Sequence, residues 1–371
     1  MKKIVSIILS ATILMLIAIS PVSANNDYED NGDFRYIYQL NGSILNALYK
    51  KASSKQEIKR IEFPVEYKGK KIDYIGFIGL DDAPKVKNLK VNTIFIPKTI
   101  DRLPIHCVDN PDFDEPLRLI SLRNIEVDKD NPYLCSKDGV LYSKDMKEMK
   151  LYPDRNNMTE YKMPSSVEEA YDLKKRNNIR KLYLSDNLKI VWYNLARNCK
   201  KLEYVRIGEN TTDIWPKAFY ANKKLRNVEI ESKKLKKIGM MSFSKCSRLN
   251  KINIPPTVKT IGEGAFWQCK SLKKITLPKN LKSIGLSAFA DCKKLSKVII
   301  NNKKKAPKIL KDSYNSETGV YKKAFKNTKK GIKFYVKNKK VAKSLKKQLK
   351  GSGVRNAKIL IGKKVVYKNV K

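Results

Sequence analysis

Four cysteines fall at one repeat position: Cys199, Cys246, Cys269 and Cys292, with Asn222 filling the same slot between the first two. Cysteine can ligate metal, attack as a thiolate or close a disulfide. A slot that accepts Cys or Asn is small, partly polar and buried. Side chains stacked at the roughly 4.8 Å spacing of neighbouring strands suit a disulfide less well than facing ones. The row is therefore expected to hold free, buried thiols. Cys107 and Cys135 lie in a less regular half, and the sequence leaves open whether they pair. No CxxC or Cys/His spacing suggests a metal site. The single histidine, His106, stands in "RLPIHCVDNPDF" and reads as a loop residue. Serine and threonine form no nucleophile elbow, no glycine-rich phosphate loop occurs, and the carboxylates are scattered. The expectation is a non-enzymatic protein with no cofactor and no metal.

Lysine is the other residue with chemical reach. Lys233 to Lys371 carries 40 Lys+Arg against four acids (Glu263, Asp291, Asp312, Glu317), a net +36, whereas residues 25–232 carry 37 against 32, a net +5. Such asymmetry speaks to partners and solubility and not to fold. A lysine-rich composition alone explains the lysines but not the missing acids.

A repeat positions these residues. Phe219, Phe243, Phe266 and Phe289 are spaced 24, 23 and 23, and Leu202, Leu225, Leu249, Leu272 and Leu295 keep the same step. Aliphatic pairs two apart follow, such as Val205/Ile207, Ile252/Ile254 and Val298/Ile300. Weaker echoes run back through Leu182/Leu184, Tyr161/Met163, Ile125/Val127, Ile94/Ile96 and Ile61/Phe63. Residues two apart share one face of a strand, and β-branched types suit its pleat. In the coil of Ile252, Pro255 ends the strand, Val258 and Ile261 turn inward, Gly262 permits a bend and Phe266 plugs the interior. One such coil cannot bury its own apolar set, so stacking is required.

The stretch "LNKINIPPTVKTIGEGAFWQCKSL" (Leu249 to Leu272) and its copy from Leu272 to Leu295 resemble the BspA-like (Treponema-type) leucine-rich repeat family. The resemblance is close over 179–300. Ile61–Gly76 resembles that family's opening coil, Asp130–Pro153 its interrupting hairpin, and "IKFYVKNKKVAKSLKKQL" its closing strand and helix. Trp192 and Trp215 depart from the pattern by replacing a glycine, and residues 101–120 and 164–178 do not scan as coils. The fold class expected is a right-handed leucine-rich-repeat β-solenoid with a parallel sheet, coils of about 23 residues and capped ends. The resemblance implies an exported bacterial binding or adhesion module.

The chain divides accordingly. Lys2 and Lys3, the apolar run Ile4 to Ile19 and the exit Val22-Ser23-Ala24 have the layout of a signal peptide over 1–24, the alternative being an uncleaved anchor. No later apolar run is long enough to span a membrane. Residues 25–57 read as a disordered or capping segment. Residues 58–178 read as degenerate repeats with a hairpin at about 130–153, residues 179–300 as regular repeats, and residues 301–371 as a basic C-terminal cap with a last strand, a short basic helix ending at Gly351 and two apolar stretches around Gly362.

Equal positions in stacked coils form rows. Lys251, Lys274 and Lys297 continue a strand-face row from Lys181, Tyr204 and Asn227, and Arg248, Lys270, Lys293 and Lys294 lie on the approach turn. This surface is the candidate polyanion site. Trp192, Tyr193, Trp215 and Tyr220 form a second candidate, either capping the core edge or making an exposed aromatic patch for a protein or sugar; Trp267 reads the same two ways. The expected partner is an anionic cell-wall polymer, or a host glycan or extracellular protein, with nucleic acid or membrane surface as the alternative.

Overall fold

The computed structural model describes residues 122–310 (except 154, 172 and 174) and 323–371 throughout, together with 91–101 and shorter stretches between 27 and 119. The segment 1–24, His106 and Cys107 lie outside the described residues. The chain forms two compact units, residues 1–121 with 127–133, and residues 122–126 with 134–371.

In the first unit, strands Asp27–Asn31, Phe34–Tyr38 and Ile44–Tyr49 pair antiparallel, and the third pairs parallel with Tyr74–Gly76. The segment read as disordered or capping thus carries three strands. Its register sets Glu29 opposite Tyr36 and Asp30 opposite Arg35. Strand Ile58–Glu62 runs parallel to Val91–Ile96 with Ile61 opposite Ile94. Val91, Ile94, Ile96 and Ile100 are buried there. Asn131, fully buried, donates through Nδ2 to the Pro97 and Ile100 carbonyls, each at 2.8 Å.

The second unit is the solenoid, a parallel-sheet coil of about nine turns. It is preceded by an antiparallel meander of Leu134–Lys137, Val140–Ser143 and Glu148–Leu151. The first parallel ladder runs Glu160–Lys162, Lys181–Tyr183, Tyr204–Ile207, Asn227–Ile230 and Lys251–Ile252. A ladder of two-residue strands follows the return path, from Ile190–Val191 through Asp213–Ile214, Lys237–Ile238, Thr260–Ile261 and Ser283–Ile284 to Lys308–Ile309. Val191, Ile214, Ile238, Ile261, Ile284 and Ile309 point inward from it and are buried.

A third segment closes each coil without forming a strand. Lys217, Phe219 and Ala221 donate their amides to the carbonyls of Met240, Ser242 and Ser244 in the next coil, all at 2.8 Å. Met241, Phe243 and Lys245 do the same to Glu263, Ala265 and Trp267. This turn needs two left-handed residues per coil, for example Lys217 and Ala221, then Met241 and Lys245. Each left-handed non-glycine residue costs about 1–2 kcal/mol, which the inter-coil hydrogen bonds and the buried aromatic between them offset. Phe219, Phe243, Phe266, Phe289 and Phe325 stack at centroid distances of 5.2, 5.6, 5.4 and 5.3 Å, nearly parallel, and Phe334 closes the file edge-on.

Two details depart from the sequence reading. Residues 164–178 do form the return half of a coil. Glu160 pairs with Lys181, so this coil is 21 residues long, and the two missing residues fall in the turn. That deletion shifts the apolar phase, and buried Arg176 stands where later coils carry cysteine. The second departure is at Ile252 and Ile254, which are only half-buried; the strand there stops at Ile252. With Pro255 and Pro256 following, the Asn253 side chain takes over the ladder, accepting from Ile230 N and donating to Ile230 O, both at 3.0 Å. A new ladder starts at Lys274–Leu277 and continues through Lys297–Ile300, Lys333–Val336, Ala357–Ile361 and the antiparallel Lys364–Val370.

The helix Lys339–Leu349 packs on the end of the coil stack. Asn338 caps it, accepting from Val341 N at 2.9 Å. Val341, Ala342, Leu345 and Leu349 are all buried against the core. The apolar side that a membrane-surface role would need is therefore already occupied.

Candidate polyanion and aromatic surfaces

The register fixes where each lysine stands. Lys181, Tyr204, Asn227 and Lys251 are partners in the first ladder, and Lys274, Lys297, Lys333 and Lys358 in the later one. Lys274 and Lys297 are direct neighbours. Lys251 is set apart from them by the split at Asn253. Lys251 and Lys274 are exposed, and Lys297 lays its ammonium over the Tyr335 ring at 4.5 Å. Arg248, Lys270, Lys293 and Lys294 are exposed on the approach turn.

Acids treat the two halves differently. Arg206 is gripped by Asp186 at 2.7 Å and Glu231 at 2.5 Å, and Lys181, Lys189 and Arg180 each meet a glutamate within 4 Å. Tyr204 donates to Glu229 at 2.7 Å, and this bond holds the Glu229 carboxyl below its ordinary range. From Lys233 onward no described lysine is paired with a described carboxylate. Asp291, one of the few acids there, is buried and spends itself internally, accepting from Trp267 Nε1 at 2.8 Å and Asn327 Nδ2 at 2.7 Å.

The aromatic candidates separate into two groups. Trp192 and Trp215 meet edge-to-face at 4.5 Å, and Trp215 is 38% exposed. Tyr171, 43% exposed, extends the file at 5.7 Å from Trp192 and donates its hydroxyl to Glu169. Sequence reasoning missed Tyr171 because the two-residue deletion hides its phase. Tyr193 is exposed beside the file, and Lys217 reaches its hydroxyl at 3.4 Å. Tyr220 keeps other company, under the cations of Arg197 at 5.3 Å and Lys245 at 5.1 Å. Trp267 is tied to Asp291 and covered by Lys245 at 5.5 Å.

The inner slot is also built from one rule. Cys246, Cys269 and Cys292 donate through Sγ to the carbonyls of Phe219, Phe243 and Phe266 in the preceding coil, at 3.1–3.2 Å. Asn222 makes the corresponding bond to Ala196 O at 2.8 Å. Six copies of the BspA type leucine rich repeat match this region, over residues 166–296 and 212–339. Residues 166–339 of this chain carry repeats of the BspA type. No curated protein matches it. Among solved structures it is similar to the pneumococcal vaccine antigen PcpA, at 17% identity over 91% of this chain and 99% of that one, with a TM-score of 0.48. It is also similar to a leucine-rich repeat protein of Eubacterium ventriosum, at 17% identity over 77% and 98%, with a TM-score of 0.43. A third likeness is to a leucine rich cell surface protein of Faecalibacterium prausnitzii, at 14% identity over 82% and 94%, with a TM-score of 0.33.

In these BspA type coils Cys246, Cys269 and Cys292 are free and buried, Cys199 is buried, and Cys135 is free and half-buried. Burial pushes the Cys246 thiol up to about 12 and the Cys269 and Cys292 thiols also far up. The thiolate is the reactive form. Iodoacetamide at neutral pH is therefore expected to leave these four thiols unmodified in the folded protein and to label all four in denaturant. Peptide mapping by mass spectrometry checks this, and native labelling of Cys269 would contradict the stacked arrangement. Among the described residues no cluster of His, Cys, Asp and Glu could hold a metal, and no helix is long and apolar enough to cross a membrane.

Proposed function

We propose that this protein is an exported, non-enzymatic bacterial binding module of the BspA type, held to an anionic polymer by its cationic C-terminal half. The observation that supports the reading most is the run of described lysines from Lys233 onward with no carboxylate partner. Stacked like charges of this density destabilise a folded surface unless counter-anions gather there. A lysine surface binds by charge more than by fixed geometry, so the partner class is a polyanion such as a wall polymer or an anionic host glycan. Lys251, Lys274, Lys297, Arg248, Lys270, Lys293 and Lys294 are proposed to contribute. The file Tyr171–Trp192–Trp215 with Tyr193, on coils where Lys181, Lys189 and Arg206 are paired with acids, is left for an extracellular protein or sugar.

The test is a salt series with the full chain and cell walls carrying or stripped of anionic polymer. Binding to intact walls is expected to fall by an order of magnitude or more between about 50 and 200 mM salt, as counterion-driven association does, and to vanish on stripped walls. Binding that is flat with salt, or that survives stripping, would refute the reading. Stronger retention on duplex DNA than on walls would favour the nucleic-acid alternative.

A further inference from the structure

The strand face is not where the cations are best organised. On the return path, Lys236, Lys259 and Lys282 stand in one uninterrupted column, each backbone bonded to the next: Lys259 N donates to Lys236 O at 2.8 Å and Lys282 N to Lys259 O at 2.7 Å. The column runs back through Thr212, whose carbonyl accepts from Lys236 N at 2.8 Å, to Lys189, whose carbonyl accepts from Thr212 N at 2.8 Å and whose ammonium is paired with Glu168. No split interrupts it, because Ile238, Ile261 and Ile284 keep the small ladder in register where the first ladder breaks at Asn253. All three lysines are exposed, and no described carboxylate pairs with them. Asp213 belongs to the neighbouring column, in register with Lys237 and followed by Thr260 and Ser283.

A second column runs beside the lysines, made of Lys234, Thr257 and Asn280. Between the two columns lies a groove of about 360 Å³, lined by Thr212, Lys233, Lys234, Lys236, Thr257, Lys259 and Asn280. Three of these are neutral donors or acceptors. Lys234 is turned onto Asn210 Oδ1 at 2.8 Å, and Asn280 donates to Pro256 O at 3.2 Å, which leaves its own oxygen available. Thr257 holds a buried hydroxyl with no hydrogen-bond partner, an arrangement a folded protein ordinarily avoids.

We propose that this groove binds an extended phosphodiester-linked polyol, its phosphates along Lys236 and Lys259 of the lining and on Lys282, which continues the column beyond it, and its hydroxyls on Thr257 and Asn280. Three features select this class. Lysine ammonium groups take phosphate as point charges, one per coil, at a spacing of roughly 4.8 Å. A file of lysines faced across the groove only by Lys233 and Lys234 at one end fits one flexible chain and not the two phosphate strands of a duplex. The second column, neutral beyond Lys234, suits a polymer that presents hydroxyl groups between its charges, where a uniformly charged chain would leave Thr257 and Asn280 without use. The inference rests on the polyanion reading above but assigns the site to a different face.

The test compares two full-length variants of equal charge. One is Lys236→Gln/Lys259→Gln/Lys282→Gln, along the groove and the column that continues it; the other is Lys251→Gln/Lys274→Gln/Lys297→Gln, on the strand face. The probe is poly(glycerol phosphate) of defined length, titrated by calorimetry at several salt concentrations. The groove variant is expected to raise Kd roughly tenfold or more and to flatten the salt dependence, whereas the strand-face variant shifts Kd by less than about threefold. Thr257→Val is expected to weaken binding about threefold with an unchanged salt slope, since it removes a hydrogen bond and no charge. Thermal unfolding of each variant confirms that it is folded. Equal losses from the two triple variants would overturn the groove while leaving the polyanion reading intact. A wild-type preference for dextran sulfate over poly(glycerol phosphate) at matched charge would overturn the phosphodiester class. Absence of binding to either polymer would overturn both proposals together.

Discussion

Replacing Phe266 by alanine is expected to lower the unfolding free energy by about 3–5 kcal/mol, the usual cost of emptying a buried phenylalanine site. Phe266 is fully buried and stacks on Phe243 at 5.6 Å and Phe289 at 5.4 Å, with interplanar angles of 5° and 7°. The vacated volume cannot be filled from either side, because each neighbouring ring is held in its own coil by bonds such as Phe243 N to Ala265 O at 2.9 Å and Phe266 N to Ala288 O at 2.8 Å. In a solenoid each coil is stabilised chiefly by the two beside it. Phe266→Ala therefore weakens two interfaces at once and is expected to turn one denaturant transition into two, with the coils before and after residue 266 unfolding separately. Urea titration followed by tyrosine and tryptophan fluorescence reads this. A single transition shifted by less than about 1 kcal/mol would show that the phenylalanine file does not couple the coils.

The second large effect is expected at Gly262. A Cβ placed there would lie 2.7 Å from the Gly239 carbonyl carbon and 2.7 Å from the Met240 nitrogen. Both are backbone atoms of the preceding coil, fixed by the bond from Gly262 N to Ile238 O at 2.8 Å. Neither can swing aside as a side chain could. Gly262→Ala is expected to cost about 3 kcal/mol, the upper end of overpacking, because the coils must separate locally and strain that bond. Gly351→Ala is the matched control. Its φ of +80° carries a conformational penalty, but nothing lies within 4 Å of the added carbon. It is expected to lose only about 1–2 kcal/mol. If both variants melt together, the close approach at Gly262 is not what sets the coil spacing.

Much of this was legible in the residues themselves. The recurrence of Phe219, Phe243, Phe266 and Phe289 at 23–24 residues determined the solenoid, because a fixed step of one coil is the only way such residues come into contact. The Cys/Asn slot was legible as buried because both side chains can donate to one carbonyl of the preceding coil. Charge determined that the two halves differ in their balance of basic and acidic residues. Tertiary structure alone decided the rest. A deletion of two residues hid the coil that carries Tyr171, since phase is lost when the step changes and only the ladder between Glu160 and Lys181 restores it. The proline pair after Asn253 split the strand face, a consequence of missing donors that depends on which neighbour would have accepted them. The column of Lys236, Lys259 and Lys282 is plain in the sequence as a lysine three places before each glycine, yet its meaning is not. Lysines at repeat spacing say only that charges align. Whether acids neutralise them, and whether hydroxyls stand beside them, depends on the coil closing and bringing Thr257 and Asn280 to the same groove.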